Sequence, residues 1–251
     1  MNHSTFSCVD RRYAVVLAAL LGPFIGLDPC RAQGTLTITF DGAPIQPPNS
    51  SYAITNYAER GARFVGYFDR TGSGSTNRPD NGTTYIQPTS PPVICSRVDG
   101  LSFRLVSVDL AGYSVVLPDY DASFEGHRSD GSVVSTNIAV SGMGFQTCYF
   151  PSEFSDLTNI VIRAGSLDNL TMQVPSIPPV LSMGAYHYRG DSWVTLDAQG
   201  TVGLQYRLEY TDTLPATNWL TFTNFESRFG WIEYVSRDMP PRRFFRALEV
   251  P

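Results

Sequence analysis

The residues to weigh first are carboxylates. Asp109, Asp119, Asp121 and Glu125 fall in one stretch of the sequence. Two such groups held roughly 5–9 Å apart can run acid–base glycoside hydrolysis. Asp119-Tyr-Asp121, however, follows Pro118 and reads as an exposed turn that sends its side chains into solvent. Beyond residue 32 the histidines are His127 and His187. His127 lies near Asp130 and serines are abundant, yet no Gly-x-Ser-x-Gly elbow exposes a nucleophile. Neither Cys95 nor Cys148 has partner ligands at zinc spacing. A nucleophile–base or zinc enzyme is not expected. The catalytic alternative is a glycan-active hydrolase or lyase whose acids converge only in the fold.

Sugar binding asks for other side chains. Aromatic faces stack on C–H surfaces, and a few polar groups fix orientation. Tyr67 and Tyr85 flank a long polar segment, DRTGSGSTNRPDNG at 69–82, and Tyr120 lies in another loop region. These three tyrosines are the ligand-binding candidates; for each, the alternative is an ordinary core or rim position. A loop as long as 69–82 inside a compact domain is either functional or a mobile spacer.

Composition narrows the partners. All 18 basic residues are arginine, and the net charge is −5. No basic patch with interleaved aromatics occurs, so nucleic acid is not an expected partner. No polybasic segment faces a membrane surface. The first residues have the grammar of a secretory signal: Arg11-Arg12, an apolar run over 13–27, then Cys30-Arg31-Ala32 with small residues at −3 and −1 of a cut after Ala32. The run is shorter than the ~18 residues of a membrane span and contains Pro23. A twin-arginine signal and a lipoprotein box at Cys30 are the variants. The expected address is therefore secreted or at the cell surface. Removing 1–32 takes away Cys8 and Cys30 and leaves Cys95 and Cys148. In an oxidising compartment that pair is expected to form a disulfide, worth about 4 kcal/mol through loop closure.

The elements that must position these residues are strands. Sustained helical spacing is absent beyond the leader. Short alternating or β-branched runs occupy 35–40, 63–68, 102–109, 114–117, 123–128, 132–139, 145–150, 159–163 and 169–174, divided by Gly, Pro, Asn, Asp and Ser. Ser129-Asp130-Gly131 supplies a hairpin turn. Pro175-Ser-Ile-Pro-Pro179 reads as an extended linker. Trp193, Trp219 and Trp231 all follow it, among a second strand set at 185–189, 193–196, 204–211, 219–222, 231–235 and 243–248. The expected organisation is all-β: a signal peptide over 1–32, a jelly-roll β-sandwich over 33–176, and a smaller β-sandwich over 177–251.

The first of these modules resembles the jelly-roll modules of exported bacterial proteins of the PEP-CTERM type, grouped with galactose-binding-like sandwiches. The resemblance rests on Thr37-Ile-Thr-Phe-Asp-Gly42, Phe103-Arg-Leu-Val-Ser-Val-Asp-Leu110, Phe124-Glu-Gly-His-Arg-Ser-Asp-Gly131, Phe154-Ser-Asp-Leu-Thr-Asn-Ile160 and Leu167-Asp-Asn-Leu170, in that order. It departs from the family at Val250-Pro251, where no Pro-Glu-Pro box, apolar anchor and basic tail follow. The second module, through Gly203-Leu-Gln-Tyr-Arg-Leu-Glu-Tyr-Thr-Asp212, Trp219 and Pro241-Arg-Arg-Phe-Phe-Arg-Ala247, resembles a fibronectin- or immunoglobulin-like accessory module. The jelly-roll resemblance implies a structural calcium joining the first strand to the last, with Asp41 and Asp168 at the matching ends. It also implies a non-catalytic binding or surface-interaction role, with extracellular polysaccharide or cell-surface glycan as partner. A purely structural matrix protein is the further alternative.

Overall fold

A computed structural model describes residues 33–41, 51–71, 74, 76–188, 191–216, 218–227, 231–236 and 243–250. The side chains within 51–54, 185–188, 191–194 and 231–236 are outside that description, as are residues 1–32, where the expected signal peptide falls, and the side chains of His187, Trp193 and Trp231. The described elements are all strands, and no helix there is long and apolar enough to cross a membrane.

Period-two text makes the strands. β1 (Gln33–Ile38) buries Leu36 and Ile38 and exposes the residues between them. It is followed by β2 (Ser51–Glu59), β3 (Ala62–Thr71), β4 (Tyr85–Arg97), β5 (Arg104–Ala111), β6 (Tyr120–Arg128), β7 (Val133–Val140), β8 (Gln146–Tyr149), β9 (Leu157–Arg163) and β10 (Ser166–Pro175). All pairings are antiparallel. β4 is the branch point. It pairs with β3 along its length, with β9 over Val93–Ser96, and with β10 through the one pair Leu167↔Ile86. That pair joins two arms, β2–β3–β4–β9–β6–β7 and β1–β10–β5–β8. Phe64, Phe124, Ile160 and Ile162 from the first arm share one hydrophobic cluster with Leu36, Leu105, Leu170 and Met172 from the second. The arms are thus the two layers of a jelly-roll β-sandwich, held by burial of their facing sides.

Three stretches differ from expectation, and one is β2 (Ser51–Glu59), which no expected strand covers. β4 was not expected, because Pro88, Pro91 and Pro92 argue against a strand. They sit where β4 slips register against β3, between Val65 and Phe68, so the missing N–H groups fall at a bulge. Residues 114–117 are not a strand but a tight turn closed by the bridge Ser114↔Leu117.

Beyond Pro175 the chain forms two three-stranded sheets. One is β11 (Val180–Tyr188), β12 (Asp191–Gln199) and β15 (Trp231–Ser236); the other is β14 (Leu220–Glu226), β13 (Gln205–Thr211) and β16 (Phe244–Val250). Leu196, Leu204, Tyr206, Leu208 and Phe225 belong to the same hydrophobic cluster as the first ten strands. The linker is tied down as well. Thr201 Oγ1 donates to the Pro175 carbonyl (3.0 Å) and accepts the Ile177 N–H (2.9 Å), and Ser176 bonds Glu249. Residues 31–251 accordingly make one compact unit.

The expected Cys95–Cys148 disulfide is not formed; both are free thiols. Cys95 is buried on β4, opposite Phe64 and Ile160. Cys148 lies on β8, the far edge of the other arm, with β10 and β5 between. Sequence spacing carries no information on that separation. Burial pushes the Cys95 thiol up to about 12, and burial plus the nearby Asp109 charge also raise Cys148. A thiol-exchange reagent should therefore find Cys148 slowly and Cys95 not at all in the native chain 33–251, and two thiols after denaturation. Zero thiols in denaturant would restore the bridge.

Candidate functional site

At one end of the sandwich the last strand meets the polar loop. β10 slips register against β5 between Asp168 and Thr171, with Asn169 at φ 45. Asp168 is fully buried there. Its Oδ2 accepts Asn81 Nδ2 (2.7 Å) and Thr83 Oγ1 (2.9 Å), and its Oδ1 accepts the Asn169 N–H (2.7 Å). Asp41 Oδ1 accepts the neighbouring Thr84 N–H (3.0 Å). Burial pushes the Asp168 carboxyl up to about 6; the three hydrogen bonds oppose that, and the Asp41 charge adds to it. The fold therefore places Asp41 near enough for its charge to act on Asp168, and it supplies hydrogen-bond donors to both. No cluster of three or more His, Cys, Asp or Glu suited to a metal occurs among the described residues. The loop itself is tied back. Asp80 accepts the N–H groups of Gly74 (2.6 Å) and Gly82 (2.9 Å), and Arg78 reaches Asp69 (3.3 Å) and Thr71 (3.1 Å).

The three tyrosines part company. Tyr67 on β3 is 61 % exposed. Tyr85 is fully buried against Phe145, ring centroids 5.2 Å apart. Tyr120 lies half-buried over Gly165, where a Cβ would come within 2.6 Å of its ring. Tyr85 therefore has no ring face open to a ligand, and Tyr120 has one side of its ring packed on Gly165. A tyrosine beside a loop can point either way, and only its strand parity decides.

Tyr67 shares its side of the sheet with residues that sequence reasoning did not single out. Val65 stands opposite Asn56 on one side and Ile94 on the other; Ile94 faces Val161, and Val161 faces Glu125. The next row is Arg63, Ser96, Asn159, His127 and Val133. These positions alternate with buried Phe64, Cys95, Ile160 and Phe124, so they form the outer face of the six-stranded layer. Val65 and Ile94 are 40 % and 41 % exposed. Arg63 Nε donates to Asn56 Oδ1 (3.3 Å), and His127 Nε2 lies 3.0 Å from Glu125 Oε1. The signal was present as alternation along β3 and β4, but it becomes a surface only once the pairing is known.

The carboxylates do not converge. Asp121 and Glu125 lie on one face of β6, four residues apart, or roughly 13 Å at strand rise. That exceeds the ~9.5 Å upper limit of a hydrolase pair. Asp119 accepts Ser141 Oγ (2.8 Å) and the Gly142 N–H (3.1 Å), closing a turn. Asp109 accepts Thr147 Oγ1 (2.6 Å) and Asn169 Nδ2 (2.8 Å). In the second strand set, arginines cover the aromatic faces. Arg246 lies 4.3 Å from the Trp219 ring centroid and donates to Glu209 (2.7 Å), and Arg243 lies 4.1 Å from that of Tyr210.

No model of a known family matches the chain, and no curated protein does. Among solved structures, similarity extends to the CBM22-1–CBM22-2 tandem domain from Paenibacillus barcinonensis Xyn10C. The TM-score is 0.33 at 10 % identity, over 90 % of this chain and 92 % of that one. It extends also to an allantoicase, with TM-score 0.27 at 9 % identity, over 72 % and 77 %. Neither likeness is close enough to bear on function.

Proposed function

We propose that this is an exported, non-catalytic binding protein whose six-stranded layer presents a face for extracellular polysaccharide or cell-surface glycan. The observation that carries it is the ring of Tyr67, open to solvent and continuous with an apolar strip of Val65 and Ile94. Around that strip stand Arg63, Asn56, Asn159, Glu125 and His127. A sugar offers the same two surfaces: C–H groups on its ring faces and hydroxyls at its rim. The strip takes the first and the polar border takes the second. The spacing of Asp121 and Glu125 supports binding over hydrolysis.

The test is a glycan array with residues 33–251, followed by calorimetric titration of any hit. Tyr67→Ala is expected to weaken binding about tenfold, or about 1.4 kcal/mol. Tyr149→Ala, more exposed than Tyr67 but on β8 of the other layer, should leave it unchanged. Loss with Tyr149→Ala alone would move the site. Release of reducing ends from a bound glycan would restore the enzyme reading, and an empty array the purely structural one.

Calcium is proposed for the Asp41–Asp168 node. Hard cations take carboxylate oxygens, and burial, with the Asp41 charge adding to it, already raises the cost of charge on Asp168. Asp41 and Asp168 would hold the ion, and its charge would relieve that cost.

A further inference from the structure

We infer that the mature chain starts at Gln33, that Gln33 closes to pyroglutamate, and that the resulting chain carries no primary amine. This rests on the export reading above. A cut after Ala32 leaves glutamine as the first residue, and β1 begins at that same residue, opposite Pro175.

The ladder leaves the Gln33 nitrogen free to react. In antiparallel pairing, alternate residues send both N–H and C=O toward the partner strand or both away from it. Along β1 the residues that face away are the odd-numbered ones. The Thr37 carbonyl accepts Arg60 Nη1 (3.1 Å). Gln33 has the same parity, and Pro175 opposite it has no N–H to give. Its nitrogen is therefore directed away from β10. On that side lies a cleft of about 280 Å³ lined by Thr35, Arg60, Gln205 and Glu249, and the Gln33 side chain is itself exposed.

Ring closure needs no other reactant. The freed α-amine attacks Cδ of its own side-chain amide. The N–Cδ bond forms, the Cδ–Nε2 bond breaks, and ammonia leaves, taking a proton from the attacking nitrogen. The product is a neutral five-membered lactam, and one positive charge is lost.

The arginine-only composition makes this step consequential. No lysine occurs among the 251 residues, so the α-amine is the sole primary amine of the chain. Amines condense with aldehydes to Schiff bases, whereas guanidinium groups stay protonated. A chain closed at Gln33 has no amine left for the open-chain aldehyde of a reducing sugar, which suits a protein working among glycans.

The experiment exports the full chain, denatures the recovered protein, labels it with an amine-reactive dye, and measures the mass of its N-terminal peptide. The expected result is no dye and a peptide starting at Gln33, lighter than encoded by one ammonia. Gln33→Ser should give one dye per chain. A Gln33 terminus with an intact amine overturns ring closure while leaving export in place. A chain starting at Met1, or at a lipid-bearing Cys30, overturns the cleavage itself. The glycan array succeeds or fails independently of either.

Discussion

Gly203→Val should cost the protein a large part of its stability, while the same change at Gly131 should cost about half as much. Gly203 has φ +89, and a Cβ there would overlap the Arg60 carbonyl oxygen and lie 2.7 Å from its carbonyl carbon and 3.2 Å from Leu36. The neighbouring contacts are equally close. A Cβ on Gly61 would lie 3.0 Å from Val202, and the buried Arg97 side chain reaches the Val202 carbonyl (3.4 Å). A β-branched residue at positive φ costs about 1–3 kcal/mol. Forcing apart a packed contact costs about 1–3 kcal/mol more. Together these come to about 2–6 kcal/mol, a large part of a folding free energy of roughly 5–15 kcal/mol. Gly131 has φ +84 with nothing within 4 Å, so Gly131→Val carries the backbone term alone. Urea unfolding would measure both. Because one hydrophobic cluster spans both strand sets, tryptophan emission from the second set and circular dichroism of the whole should lose stability together. Separate transitions would show that the joint is not cooperative.

Asp168→Asn is expected to change the pH dependence of stability by about 3 kcal/mol, the free-energy equivalent of a carboxyl moving from 3.8 to about 6. A raised carboxyl pKa means that the folded state binds the proton more tightly. This contribution is therefore complete below the unfolded value and is lost as pH rises through about 6. The asparagine variant has no such term. Its cost relative to the parent should be largest near pH 3.5 and smallest at pH 7.5, where the parent holds a buried charge. Thermal melts across that range would show it, and a cost independent of pH would deny that Asp168 is strained. Calcium enters the same experiment. At pH 7.5 it should raise the melting temperature of the parent, chelator should reverse the gain, and Asp168→Asn should show neither effect. No shift in the parent would remove calcium from the node.

Much of the architecture was legible in the sequence because a strand's burial has period two. Ser102–Asp109, Ser123–Arg128 and Ser132–Ala139 appear within a few residues as β5, β6 and β7. Local rules failed where a neighbour compensated. The prolines of β4 argue against a strand, but the slipped register against β3 accommodates them. The Cys95–Cys148 pair had an expected oxidising compartment in its favour, yet the two lie on strands of different arms and both are free thiols.

The candidate site was less legible, since a face is a property of several strands at once. Tyr67, Tyr85 and Tyr120 were named from their positions beside polar loops; Tyr67 is exposed, Tyr85 is buried, and Tyr120 packs against Gly165. The polar loop, rather than reaching for a ligand, hands Asn81 and Thr83 to a buried aspartate.

By itself the sequence determined the all-β class, the positions of most strands, and a chain without lysine. Composition and period-two alternation are local, so one dimension suffices to read them. The tertiary structure decided which side chains meet. It aligned Val65 and Ile94 with Tyr67, brought Asp41 to Asp168, separated the two cysteines, and seated Gly203 on the Arg60 turn. Each of those outcomes depends on register between segments far apart in the chain, which burial of both layers in one core selects and which no local pattern encodes.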